Sequence, residues 1–179
     1  MTYELLHTHP FLTGLSEHQL DRLSMWGHTT MFHGGNRVFP EGGRADRFWL
    51  IHDGHVQLTT EIPGRGEVVV DTLGPGSVLG WSWLFPPYRW HFSATAVDMV
   101  HAVSLDGPGV RELCENDPAL GFELMRRFMN VLADRLQRTR ARLLVATAEA
   151  AATAEPRPTS PMAESPGGFG ALGPLGSGD

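Results

Sequence analysis

The spacing of apolar residues changes twice along the chain. It runs in threes and fours up to about residue 28, in twos from Thr29 to about residue 105, and in threes and fours again from Gly107. These periods predict helices, then strands, then helices. Near the N-terminus, Tyr3, Leu5 and Leu6 mark a short helix over residues 3–9. Ser16 stands as an N-cap with Gln19 three residues on, a capping box, ahead of a second helix with the apolar face Leu15, Leu20, Leu23 and Met25-Trp26.

The period of two predicts strands at Thr30–His33, Arg37–Phe39, Phe48–Ile51, His55–Thr60, Glu67–Leu73 and Met99–Val103, with Ser93, Thr95 and Val97 on a returning strand. Gly34-Gly35-Asn36, the run Pro40 to Gly43, Asp53-Gly54 and the run Pro63 to Gly66 punctuate them, Asp53-Gly54 as a hairpin signal. At least seven short strands at intervals of about ten residues indicate a closed or folded-over β structure.

Helical spacing returns with a short helix over Val110–Cys114. Asn116-Asp117-Pro118 then supplies an N-cap residue and a first-turn proline for a long helix. The pattern carries it to about Thr147, roughly 45 Å. Leu124, Phe128, Val131 or Leu132, Leu136, Thr139 and Leu143 recur at threes and fours. The first half can lie on the β core, whereas the second half has only another copy of itself, so a parallel homodimer seam is expected through Phe128, Leu132, Leu136 and Leu143. A long core helix in a monomer is the alternative. Arg126, Arg127, Arg135, Arg138, Arg140 and Arg142 on this helix are expected to form a solvated flank rather than a nucleic-acid face. The divisions are therefore 1–28, N-terminal helices; 29–105, the β structure; 106–148, C-terminal helices; and 149–179, a Pro/Gly-rich tail expected to be disordered.

Residues 74–98 carry the candidate chemistry. Gly74-Pro75-Gly76 makes a turn, Gly80 breaks the chain again, Trp81 to Phe85 can form one helical turn with Ser82 near its start, and Pro86-Pro87 ends it. A glycine turn that opens a helical turn offers free N–H groups to an anion, and Arg89 could add a planar fork. Six aromatics (Trp81, Trp83, Phe85, Tyr88, Trp90, Phe92) fall within twelve residues. They either cover the core or present a docking surface for a protein partner over Trp81–Phe92, with Tyr88 and Trp90 exposed and Trp81 turned inward.

Composition narrows the setting. The 179 residues can bury one substantial core. Net charge is −6, which gives no global attraction to DNA or anionic lipid, and all fourteen cationic residues are arginine. The single cysteine, Cys114, rules out an intramolecular disulfide and fits a reducing cytoplasm. No signal peptide or membrane span is expected. The nine histidines are scattered without zinc spacing, so no metal is expected. No nucleophile motif or catalytic carboxylate pair stands out, so no catalytic residue is assigned and a non-enzymatic role is expected.

The order of elements, with Phe39-Pro-Glu-Gly-Gly43, Trp49-Leu-Ile-His-Asp-Gly54 and Leu73-Gly-Pro-Gly-Ser-Val-Leu-Gly80, resembles the cyclic-nucleotide-binding domain of the bacterial CRP/FNR-like regulators. The resemblance covers about residues 11–147. It implies a mainly β fold, an eight-stranded β-roll of the jelly-roll kind, with flanking helices and a long C-terminal dimerisation helix. It also implies that residues 74–98 are a phosphate-binding cassette, with Gly76, Gly80, Trp81, Ser82, Arg89, Ser93 and Ala94 as candidate ligand-binding residues for a cyclic nucleotide or another nucleotide-like anion. In the family a glutamate follows the cassette glycine and an arginine precedes the next strand. Here Trp81 and Phe92 hold those places, and Arg89 is three residues from the second. Ordinary cAMP binding is therefore not expected. No helix-turn-helix is expected in the last thirty or so residues, hence no direct DNA binding. The expected role is a dimeric sensor that binds a nucleotide-like or other small anion at the cassette; the alternative is a degenerate cassette serving as a protein–protein adaptor or accessory subunit of a larger, possibly redox, enzyme complex.

Overall fold

The computed structural model describes residues 2–153. Its first compact unit runs to Arg138; the second begins at Thr139, and its described part is the remainder of one helix. The helices are α1 (Thr2–Thr8), α2 (Glu17–Ser24), α3 (Gly107–Asn116) and α4 (Pro118–Thr153). The strands are β1 (Gly27–Phe32), β2 (Arg37–Phe39), β3 (Arg47–Asp53), β4 (Val56–Ile62), β5 (Gly66–Leu73), β6 (Val78–Leu79), β7 (Ser93–Ala96) and β8 (Val100–Asp106). They form two four-stranded sheets, β1-β8-β3-β6 and β2-β7-β4-β5, with antiparallel pairing throughout. This is the expected mainly β roll of eight strands followed by a long C-terminal helix.

Strand β3 shows how one sequence run builds two cores. Its residues 48–51 are Phe-Trp-Leu-Ile, apolar without a polar alternation, because both faces of the strand are buried. Phe48 and Leu50 face the helices, joining Leu6, Leu12, Leu23, Val110, Leu120, Leu124 and Phe128. Trp49 and Ile51 face the interior of the roll, joining Phe39, Val56, Leu58, Leu79, Trp90 and Ala102. At the β3–β4 hairpin Gly54 has φ +82°, and a Cβ there would lie 2.3 Å from the carbonyl oxygen of Met99, so only glycine closes this turn.

The helix starts follow their caps. Ser16 and Gln19 form the expected capping box on α2. Asp117 Oδ1 accepts from the Leu120 N–H at the start of α4. Most boundaries shift by one to three residues from the sequence reading: β1 starts at Gly27 rather than Thr30, and α3 runs over Gly107–Asn116 rather than Val110–Cys114. The turn expected over Trp81–Phe85 is a shorter 3-10 helix over Ser82–Leu84, and α4 continues past Ala148 to Thr153 because alanines and a glutamate, all good helix formers, occupy residues 148–152. The tail expected over 149–179 otherwise lies outside the described residues. Among these, no helix is long and apolar enough to cross a membrane.

The dimer seam also needs one correction. Phe128 is fully buried, its ring 4.9 Å from Phe11, 5.5 Å from Phe48 and 5.6 Å from Trp83. It lies on the inward face of α4 with Leu120, Leu124 and Val131, so it is not available to a partner. Leu136 and Leu143 are exposed and Leu132 is half-buried.

One buried titratable group ties the helices to the roll. His9 is 1% exposed; its Nδ1 accepts from the Phe11 N–H, which puts the ring proton on Nε2, 3.2 Å from the Ile51 carbonyl oxygen it donates to. Burial, and then the neighbouring His52 ring, push its pKa from 6.5 down to about 4. Between these values the unfolded chain binds a proton that the folded chain does not. Stability should therefore be full above pH 6.5 and fall by up to about 3 kcal/mol as the pH drops toward 4. Urea denaturation across this range checks it: His9→Gln should be less stable at pH 7 yet flatter with pH, and an unchanged slope would contradict the assignment.

Candidate ligand-binding cassette

The cassette begins at a turn fixed on both sides. The Gly76 N–H donates to the Ile51 carbonyl and the Ser77 N–H to that of Gly74, with Gly76 at φ +79°. After β6 the chain turns again at Gly80, φ +84°. A Cβ on Gly80 would lie 2.9 Å from the Trp90 ring. Glycine is thus required here twice over, by its backbone angle and by the indole packed on it.

Trp90 is the residue that decides the geometry of the site. It is 5% exposed, stacked on Phe39 at 4.0 Å between ring centroids and 5.9 Å from Trp49. The backbone holds it in place: the Trp90 N–H donates to the Gly43 carbonyl, and the Trp90 carbonyl accepts from the Gly42 N–H. The Trp81 ring lies over the His91 ring at 5.1 Å, and Ser82 Oγ is hydrogen-bonded to His91 Nδ1 at 3.0 Å. Between these layers the cassette keeps about 20 Å³ of free space, room for a single water and not for a nucleotide.

The structure brings Gly80, Trp81 and Ser82 together around that small space and places the other candidates elsewhere. Gly76 borders a separate cavity on the far side of β6. Ala94 is buried in the roll, and the hydroxyl of Ser93 accepts from the Glu41 N–H at 3.0 Å. Arg89 does not reach the cassette. Its guanidinium donates to the Gly42 carbonyl at 2.9 Å, because the strand-like pairing of Arg89 with Arg44 turns it outward. Phe92 lines the space as an apolar wall where the family pattern has a cation.

The expected exposure of the loop aromatics is corrected in part. Trp90 is core, as is Trp83, 1% exposed and stacked on Phe48 at 4.9 Å. Trp81 is half-buried. The outer face of the loop is formed instead by Phe85, Pro86, Pro87 and Tyr88, with the Arg111 guanidinium 4.5 Å from the centre of the Tyr88 ring.

Two participants were missed in the sequence: His91 and Arg135. Arg135 reaches the cassette from α4, and one of its terminal nitrogens donates to the Val78 carbonyl. Its Nε–H is buried without a hydrogen-bond partner. Burial pushes its pKa down to about 10, Asp71 opposing and Arg138 adding to the shift, so it remains a cation at neutral pH. The signal was present in the spacing. Leu120, Leu124, Phe128, Val131 and Arg135 follow one another at fours and threes, which places an arginine on the apolar face of the helix. Among the described residues no group of three or more His, Cys, Asp or Glu side chains is arranged to hold a metal.

Comparison with known proteins agrees with this architecture. Residues 29–117 match the family described as cyclic nucleotide-binding domain. A CRP-like cAMP-activated global transcriptional regulator of Mycobacterium tuberculosis is 34% identical over 108 residues, which is 60% of this chain and 46% of the relative. A cAMP-dependent protein kinase regulatory subunit of Candida albicans is 29% identical over 115 residues, 60% of this chain and 24% of the relative. The chain thus spans about half the length of the mycobacterial relative it matches. A solved structure from Geobacter metallireducens, described as a cyclic nucleotide-binding protein, superposes with a TM-score of 0.69 at 30% identity, covering 76% of this chain and 98% of that one. A cyclic nucleotide-binding domain from Methylobacillus flagellatus superposes at 0.70 with 20% identity, covering 81% and 82%. On the fold, the cassette position and these matches, the chain belongs to the cyclic nucleotide-binding domain family.

Proposed function

We propose that this chain is a non-enzymatic regulatory domain that works as a parallel homodimer through α4 and responds to a small anion rather than to a whole cyclic nucleotide. The carrying observation is the two-faced character of α4. Its inward face sends Arg135 to the cassette. Its outward face exposes Phe122, Met129, Leu136 and Leu143, each seven residues from the last, with exposed Met125 and half-buried Leu132 between them. A seven-residue apolar repeat is the seam of a left-handed coiled coil, and an exposed helix face of this kind is covered by a second copy of itself. A change at the ligand end of such a helix alters the segment that pairs. Net charge −6 and a single cysteine fit a cytoplasmic protein that makes no direct contact with DNA.

Sedimentation at micromolar concentration should give twice the chain mass. Leu136→Asp places an unpaired charge on each side of the seam and should weaken the dimer by about 100-fold or more. A wild-type monomer would remove the seam.

The same reading predicts cAMP affinity weaker than about 100 μM. A charge-assisted contact contributes roughly 1.5–3 kcal/mol, and two are replaced by Trp81 and Phe92. Calorimetry that finds sub-micromolar cAMP binding would contradict it.

A second reading rests on the exposed run Phe85-Pro86-Pro87-Tyr88, which suits docking on a partner protein such as a larger, redox-type enzyme. Phe85→Ala with Tyr88→Ala leaves the core residues Trp83 and Trp90 in place. Under this reading the pair loses a co-purifying partner without loss of thermal stability; retention of every partner removes it.

A further inference from the structure

Outside the cassette, between the Gly74–Ser77 turn and α4, lies a cavity of about 200 Å³ whose polar lining is Ser77, Asp134, Arg135 and Arg138, with Gly76 and Phe11 among its other walls. It is large enough for a small polyatomic ion. Arg135 stands between this cavity and the cassette and lines both. Of its five N–H donors, one is used on the Val78 carbonyl and the buried Nε–H has no partner. A cation withdrawn from water with its donors incompletely matched is costly and favours an anion brought beside it.

Charges around the cavity set the class of ion. Two guanidiniums and one carboxylate line it, and Asp71, not in the lining, lowers the cost of the Arg135 charge from another side. The lining is therefore cationic by one. Guanidiniums from successive turns of one helix, facing a hydroxyl on a fixed turn, match the oxygens of a tetrahedral anion. Asp134 opposes such an anion and limits its affinity.

We infer that this cavity binds a small tetrahedral oxyanion, free phosphate or the phosphate of a nucleotide, between Arg135 and Arg138 of α4 and the Ser77 turn. The ion ties the helix to the roll within the same turn as the proposed dimer position Leu136, which lies between Arg135 and Arg138 in the chain. Binding stands on the cavity alone, and its regulatory meaning rests on the homodimer reading above.

The test uses the full chain, with inorganic phosphate as the probe, 5′-AMP as a second probe, and sodium chloride at matched ionic strength as the control. Phosphate should raise the thermal midpoint in a concentration-dependent way beyond chloride. Calorimetry should show Arg138→Gln binding phosphate about tenfold more weakly. Asp134→Asn should bind it more tightly, and Arg135→Met should lose the response. Arg138 and Asp134 are exposed, so their variants decide the matter even if Arg135→Met fails to fold. Tighter binding of AMP than of phosphate identifies a nucleotide phosphate as the source, and the reverse identifies the free ion. Phosphate no better than chloride, or wild-type binding by both Arg138→Gln and Asp134→Asn, would overturn the site. Sedimentation of the same samples separates the two readings: a dimer indifferent to phosphate loses only the anion site, and a monomer that binds it loses only the dimer.

Discussion

The packing of the Trp90 indole against Gly80 governs this molecule. The ring lies on Phe39 and beside Trp49, so it is continuous with the core of the roll rather than laid over it. It fills the volume between the second cassette glycine and β2, leaving about 20 Å³. A buried tryptophan removes well over a hundred square ångströms of apolar surface from water, so displacing it for a polar ligand would cost several kcal/mol. With Trp90 in place, Trp81 and Phe92 stand as apolar walls of that small space, at the positions where the family pattern has a carboxylate and a cation.

The same constraint explains the outer loop. Trp90 pairs with Gly42 and Gly43 through its backbone and the Tyr88 carbonyl accepts from the Ala45 N–H, so the loop runs antiparallel along residues 42–45, and Tyr88 takes a φ of 53°. Arg89 is carried outward onto the Gly42 carbonyl, and Phe85 and Tyr88 form the rim. The positive charge near the cassette then comes from α4. Cassette-facing and exposed positions thereby fall on one helix: Arg135 inward and Leu136, the very next residue, outward.

Much of the fold was legible in the sequence because local rules and tertiary demands agree. The capping box at Ser16, the Asp53-Gly54 hairpin and the Pro118 start of α4 are short-range signals. The change of period at Thr29 and again at Gly107 marks the roll. The site was less legible, for identifiable reasons. A run of aromatics does not say which rings turn inward; that depends on where Gly80 leaves room, so the pattern points Trp81 toward the cassette, where it lies, and leaves the burial of Trp90 unseen. Phe128 and Leu132 both fit a three-four repeat, and only the β core, packed on one side of α4, assigns Phe128 to the interior. The density of arginines on α4 predicts a solvated flank that includes Arg135, although Arg135 continues the Leu120–Leu124–Phe128–Val131 face. His91 gave no signal, since its partner Ser82 and its stacking on Trp81 arise from the fold of the loop.

The most direct measurement of this account is the nuclear magnetic resonance signal of Gly80. Its α-protons lie against the Trp90 ring, so the aromatic ring current should move them well upfield and they should show cross-relaxation to the indole protons. Both features should stay unchanged on addition of millimolar cAMP. Gly80 α-protons at ordinary glycine positions, or a loss of the Trp90 contact when cAMP is added, would mean that the cassette opens to a nucleotide and that the closed, tryptophan-filled site is not the working state of the protein.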